Sequence, residues 1–231
     1  MAKSVKLYGD GIGKVEYVEH MGSDLSVVNS ARVSFGKHKQ VIEEADKKLI
    51  SYLIKHRHTS TLEHCVVTFR FKVPLFVRSQ HHRHRTWSYN EISRRYTDFN
   101  IELYNPERYR TQHDSNRQAS NPSNFVDGSS AHPILGCNVH EAVRRFHNVS
   151  LTMYNNLLEV GVCREQARGI LPQSMYTEYY GTANLNNILK FVDLRIHEGA
   201  QGEIQEVAKA VLRITKDLYP LTVGAYEKTK K

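Results

Sequence analysis

Along this chain apolar positions recur at two periods, near 2 and near 3.6, and the switches between them mark out the elements. Residues 5–22 (VKLYGDGIGKVEYVEHMG) alternate like a strand but are broken by Gly9, Gly11 and Gly13, which predicts a turn. Asp24 is then placed to cap a helix through Leu25, Val28 and Ala31 that ends near ARVSF, and a second amphipathic helix is predicted from about Glu43 to Lys55, with Leu49, Ile50, Leu53 and Ile54 inward. In CVVTFRFKV, Val67, Phe69, Phe71 and Val73 alternate with Thr68, Arg70 and Lys72, the pattern of a half-buried strand. Pro74 sits where a helix begins, and PLFVRSQHHRHR would place Gln80, Arg83 and His84 on one helix face.

Residues 105–135 are rich in Asn, Ser, Gln, His and Pro and read as a long mobile loop or lid. Beyond them Val139, Val143, Phe146, Met153 and Leu157 mark a helix from about Asn138 to Glu159, ended by Gly161. A short helix, CREQARGIL, stops at Pro172; MYTEYYGTANL alternates as a strand; and apolar positions from Asn186 to Leu218 describe one long or kinked helix, with Gly199 and Gly202 where a kink would form. There is no repeat and no second composition regime. The expectation is one α+β domain over residues 1–231: a small sheet flanked by helices, with a helical second half.

Composition adds bounds. A hydrophobic share of 40% in 231 residues is enough for a core. No apolar run approaches the roughly 20 residues of a membrane span. The start MAKSVKLYGDG lacks a signal-peptide core, and Cys65, Cys137 and Cys163 are too few and scattered for a disulfide framework. A reducing cytoplasm is the expected compartment. The formal charge of +8 is large, and a basic excess suits nucleic acid or small phosphorylated ligands alike.

The excess is concentrated in RHRTWSYNEISRRY, residues 83–96, where Arg83, Arg85, Arg94 and Arg95 surround Ser88, Glu91 and Ser93 with Trp87, Tyr89 and Tyr96 interleaved. Guanidinium forks suit phosphates and base edges, and the interspersed acceptors and hydroxyls suit a base better than a merely solvated patch. The competing reading is a sequence-indifferent single-strand binder stacking bases on the aromatic rings. His56, His58, His64, His81, His82 and His84 raise the question of zinc, but no CxxC pair or HExxH accompanies them, and no metal is expected. None of the cysteines lies in the arginine-rich segment, and no Ser-His-Asp or GxSxG arrangement occurs. Arg168 and Arg195 lie in amphipathic helices, where a salt bridge to a neighbouring acid is the default.

Read together, these segments resemble the flavin-dependent thymidylate synthases. That family's hallmark, RHR followed after seven residues by Ser, is matched from Arg83 to Ser93, and the likeness extends to ARVSF, HTSTLEH, SRRY, ARGILP and TANLNNILKFVDLR. The resemblance implies a homotetramer holding FAD between subunits. It also implies conversion of dUMP to dTMP, with methylene-tetrahydrofolate giving the carbon, NADPH as reductant and no covalent cysteine. Carried over by motif, the FAD side would comprise Ser34, His58, Ser60, Glu63, Arg83, His84, Arg85, Asn184, Asn186 and Lys190. The dUMP side would comprise Gln80, Arg83, Glu91, Ser93, Arg94, Arg95, Arg168 and Arg195, with Arg195 stabilising the uracil N3 anion. The sequence departs from the family at Ser60, where Thr is common, at Asn186 and Lys190, where other side chains are often found, and at Arg94, a site often smaller or uncharged. Neither nucleic acid nor membrane is an expected partner.

Overall fold

The computed structural model describes residues 3–127 and 136–230. Its strands are β1 (Ser4–Lys6), β2 (Lys14–Met21), β3 (Val66–Pro74), β4 (Ser88–Glu91), β5 (Arg110–Gln112), β6 (Ser120–Phe125) and β7 (Tyr176–Asn184). Its helices are α1 (Asp24–Arg32), α2 (Glu44–Lys55), α3 (Leu75–His81), α4 (Val139–Glu159), α5 (Arg164–Ala167), α6 (Leu185–Ile196), α7 (Gly202–Leu218) and α8 (Pro220–Lys228). Five strands form one antiparallel sheet in the order β1-β2-β3-β7-β4. The fold is mixed α and β, built on this small sheet.

The centre of the sheet follows from the alternation in β3. Val67, Phe69, Phe71 and Val73 are buried, and β7 pairs along the whole strand from Val66–Asn184 to Pro74–Tyr176. Their apolar face meets Ile188, Phe191 and Val192 of α6 and Val207, Val211 and Ile214 of α7 in one core. A smaller cluster, Tyr154, Ala167, Leu171 and Met175, lies between α4, α5 and the approach to β7. The glycine-rich segment between β1 and β2 is a turn: Asp10 Oδ1 accepts the amide protons of Ile12 and Gly13 at 2.9 and 3.0 Å, which leaves neither amide for a phosphate.

Several expectations need correction. Asp24 does not cap its own helix; Ser23 does, in a reciprocal pair with Ser26. Asp24 is buried and instead caps α8, accepting from Leu221 N, Thr222 N and Thr222 Oγ1 at 2.9, 2.9 and 2.6 Å. The helix beginning at Pro74 stops at His81, so Arg83 and His84 stand on a turn, not on its face. The helix read from Asn186 to Leu218 is two packed helices, because His197 and Gln201 take extended ψ values of 143° and 138°. The 105–135 segment, read as loop, carries the β5–β6 hairpin; its residues 128–135 lie outside the described residues. On α4 the buried face is Ala142, His147, Ser150 and Tyr154, while Phe146 and Met153 lie on an exposed apolar face with Val149 and Val160.

Candidate active site

The turn between α3 and β4 presents the arginine-rich motif, and its shape is set by what its aromatic and histidine side chains do. His81 is fully buried, hydrogen-bonded through Nδ1 to Tyr179 Oη at 2.9 Å and ringed by Phe71, Trp87 and Phe191. The Tyr89 hydroxyl donates to the carbonyls of His81 and His84 at 2.9 and 3.1 Å, stapling both ends of the turn to β4. Arg83 and Arg85 are left at the surface. Trp87 is 5% exposed and packs into the core, so it is no platform for a nucleic-acid base. That removes the central stacking residue from the single-strand reading.

Arg195, in the last turn of α6, reaches this turn from the far end of the chain. Its Nε donates to His84 Nε2 at 3.0 Å and its Nη2 to the Gln80 carbonyl at 3.0 Å. His84 therefore accepts at Nε2, the neutral tautomer protonated on Nδ1; burial and then the Arg195 charge push its pKa down to about 4. The Arg195 pKa is itself lowered by burial and by the nearby Arg83 charge. Among the described residues neither guanidinium has a carboxylate partner, whereas Arg70, Arg78, Arg95, Arg110 and Arg164 all do. Two like charges held close without a counterion favour any anion that enters between them. Arg85 and Arg168 likewise have no carboxylate partner among the described residues.

A second group gathers at the end of β4. Glu91 accepts from Arg78 Nε at 3.1 Å and Thr177 Oγ1 at 2.6 Å. Ser93 Oγ accepts from the Arg95 amide at 3.3 Å, and Arg95 pairs with Glu165 of α5 at 3.1 Å. The Arg94 side chain is buried and its two Nη atoms donate to the Phe99 and Asn100 carbonyls, while its Nε is buried without a partner among the described residues. Arg168 stands exposed on a single 3-10 turn at 168–170 next to α5. No hydrogen bond, ion pair or ring contact among the described residues joins Arg168 to Arg83 or Arg195. Arg95 and Arg168 stand beside α5, the first through its pair with Glu165 and the second on the 168–170 turn, while Arg83 and Arg195 stand at the turn between α3 and β4.

Of the residues expected on the flavin side, Asn186 and Lys190 belong to α6, His58, Ser60 and Glu63 to the 3-10 turn before β3 and its flanks, Ser34 to the turn after α1, and Arg83, His84 and Arg85 to the turn between α3 and β4. Asn186 Nδ2 donates to Glu63 Oε1 at 3.0 Å, and Asn184 caps α6 by accepting from Asn187 N at 2.9 Å. Ser34, His58, Ser60 and Lys190 are exposed. Asn186 and Lys190 also line a cavity of about 800 Å³ with Lys55, Arg57, Thr59 and Tyr226. Its cationic wall has the chemistry a dinucleotide's phosphates require.

The histidines form no metal centre: among the described residues no group of three or more His, Cys, Asp or Glu is arranged to hold an ion. His82 instead stacks on Tyr89 at 4.0 Å, and His56 and His58 edge against Tyr52. Cys65 is buried, its thiol pushed up to about 11 by burial and by Asp24, which leaves it a poor nucleophile. No described helix is long and apolar enough to cross a membrane. Sequence reading missed Arg78 and Tyr89, which position the motif, because their roles depend on partners in other elements. It also missed Gln201 and Glu203, whose only local signal is a polar helix start, and Arg110, which lies in the polar β5 strand.

With this geometry in place, comparison with known proteins is informative. The family model described as "Thymidylate synthase complementing protein" matches residues 16–221. The flavin-dependent thymidylate synthase of Kosmotoga olearia is 44% identical over 214 residues, 93% of this chain and 90% of that protein. That of Thermus thermophilus is 40% identical over 215 residues, 93% of this chain and 76% of that protein. Among solved structures, the UMP/dUMP methylase PolB from Streptomyces cacaoi bound with 5-Br dUMP superposes with a TM-score of 0.80 at 30% identity, covering 97% of both chains.

Proposed function

The chain belongs to the flavin-dependent thymidylate synthase family, and from that premise we propose that it methylates dUMP to dTMP with FAD, methylene-tetrahydrofolate and NADPH. The observation that carries this reading is the convergence of Arg83 and Arg195 on one turn with no carboxylate among the described residues to neutralise them. A uracil monophosphate supplies what the turn lacks: dispersed negative charge on the phosphate and an anion at N3 as the ring is activated. Arg195, oriented by its bonds to His84 and the Gln80 carbonyl, is placed to stabilise that ring anion. The neutral His84 holds the fork without adding a competing positive charge.

Arg83, Arg95, Arg168, Ser93 and the Arg94 backbone would hold the phosphate and ring, with Gln80 and Glu91 completing the nucleotide site. To reach the phosphate, Arg95 exchanges its exposed pair with Glu165, a bond of small net worth. FAD, when bound, supplies hydride transfer; Ser34, His58, Ser60, Glu63, His84, Arg85, Asn184, Asn186 and Lys190 would position it, with Arg83 shared between the two ligands. The homotetramer, with sites completed across subunits, carries over to this chain as part of the same proposal. The apolar face of α4, with Phe146, Val149, Met153 and Val160 exposed, supports the same reading. Cys65, buried and with its thiol pushed up to about 11, is a poor candidate to attack the ring, which accords with a reaction that uses no cysteine adduct.

The test is a titration of dUMP into flavin-loaded protein followed by flavin absorbance, then turnover with methylene-tetrahydrofolate and NADPH. Yellow protein, a dUMP-dependent spectral change and dTMP as product are expected. Protein that takes up no FAD, or whose flavin spectrum ignores dUMP, would overturn the assignment.

A further inference from the structure

A chain of buried and half-buried polar groups runs from Gln80 of the nucleotide site to the β5–β6 hairpin. The Gln80 Nε2 donates to Gln201 Oε1, and Gln201 Nε2 donates to Glu203 Oε2 at 2.9 Å. Glu203 is 5% exposed and also accepts from Tyr104 Oη at 3.2 Å and from Arg110 Nη2 at 2.6 and 2.8 Å. Arg110 belongs to β5, and its Nε donates to Ser120 Oγ of β6 at 2.9 Å, clipping the hairpin together.

The direction of these bonds is dictated by charge. Burial pulls the Glu203 pKa upward, but the bonds and charge of Arg110 outweigh it and hold the carboxyl below its usual range. An ionised carboxylate only accepts. Gln201 must therefore turn its NH2 toward Glu203 and its oxygen toward Gln80, which in turn must offer its own NH2. The Gln80 Oε1 is left without a partner among the described residues. The Gln80 backbone is fixed as well, because its carbonyl accepts from Arg195 Nη2. Gly202 leaves room for this arrangement: a Cβ there would stand 2.9 Å from Arg110 Nη1.

We propose that Gln201 and Glu203 are positioning residues that hold the Gln80 carboxamide with its oxygen presented to a hydrogen-bond donor of the nucleotide, and that Arg110 couples the β5–β6 hairpin to that orientation. The inference rests on the reading of Gln80 as a dUMP-side residue. It assigns a polarity to that contact, and it gives the Asn- and Ser-rich hairpin a place in substrate binding.

A double-mutant cycle on flavin-loaded protein, with dUMP binding measured by calorimetry, tests it. Gln201→Met and Gln80→Met should each weaken dUMP about five- to tenfold, the effect of one hydrogen bond. The double variant should be no weaker than Gln80→Met, because Gln201 acts only through Gln80. Losses that multiply in the double variant overturn the proposal; a wild-type protein that does not bind dUMP overturns the proposed function instead. Glu203→Gln, which removes the obligatory acceptor, should weaken dUMP to a similar degree with flavin content unchanged. Should that variant not fold, Gly202→Ala serves, since alanine suits a helix while its Cβ displaces Arg110. A few-fold loss of dUMP affinity at unchanged melting temperature is expected for Gly202→Ala, and unaltered affinity would sever the hairpin from the site.

Discussion

Arg195 shows how much a single residue's environment decides. Its helix supplies Asp193 two residues away, but that carboxylate is taken by Tyr226 and Lys230, leaving the guanidinium to His84 and a carbonyl. Arg195→Lys should keep the fold and change dUMP affinity less than tenfold, since a point charge remains. Turnover should fall roughly 100-fold or more, because a lysine cannot present the same fork to the developing anion. Steady-state kcat beside calorimetric dUMP affinity checks this, and undiminished kcat would misplace the activating cation. His84 gives a pH signature. Its folded pKa is about 4, below the ordinary 6.5, chiefly through burial and then through Arg195. The unfolded chain therefore binds the proton first as pH falls, so stability present at neutral pH declines between about pH 6.5 and 4. Burial shifts His81, His82 and His147 in the same direction. Urea midpoints from pH 7 downward should fall steadily, and His84→Gln should flatten part of that slope; an unchanged slope would mean His84 titrates normally. At this scale the motif arginines were legible from spacing. The burial of His81 and Trp87 was not, because a histidine or tryptophan among arginines carries no local mark of facing the core.

Among the elements, caps and close approaches matter more than propensity. Asp24 begins one helix yet holds the first turn of α8, nearly the whole length of the chain away. Asp24→Ala should cost about 2–3 kcal/mol, the sum of a lost cap and unsatisfied buried donors, and should speed amide exchange at Leu221 and Thr222. Exchange there at the wild-type rate would show that α8 does not depend on this cap. In β7, Gly181 lies between Phe69 of β3 and Tyr89 of β4. A Cβ at 181 would meet the Phe71 ring at 2.8 Å and Trp87 at 3.4 Å. Gly181→Ala should therefore destabilise by about 1–3 kcal/mol in urea unfolding, as overpacked cores do. Periodicity was enough to find β2, β3, β7 and most helices, but it ran α6 and α7 together and did not find α8. It missed β4 and the hairpin, whose short polar strands are strands only because β7, or Arg110 with Glu203, gives them something to hold.

For the whole molecule, one chain leaves one face of α4 apolar and exposed. Met153→Glu on that face should change monomer stability by no more than about 0.5 kcal/mol. On the proposed homotetramer, it should also shift the sedimenting species to a smaller one and lower flavin content together. A full-sized assembly with normal flavin would take α4 out of the interface. By itself the sequence determined the order and type of most elements, the α+β class, and the RHR motif that marks the family. All of these rest on relations between near neighbours, the 2- and 3.6-residue periods and the RHR spacing, which the chain carries before it folds. Only the tertiary structure decided which cations are neutralised and which stay free. Arg110 finds Glu203 across 93 residues and Arg195 finds His84 across 111, and whether charges pair depends on distances that exist only once the sheet and helices have packed.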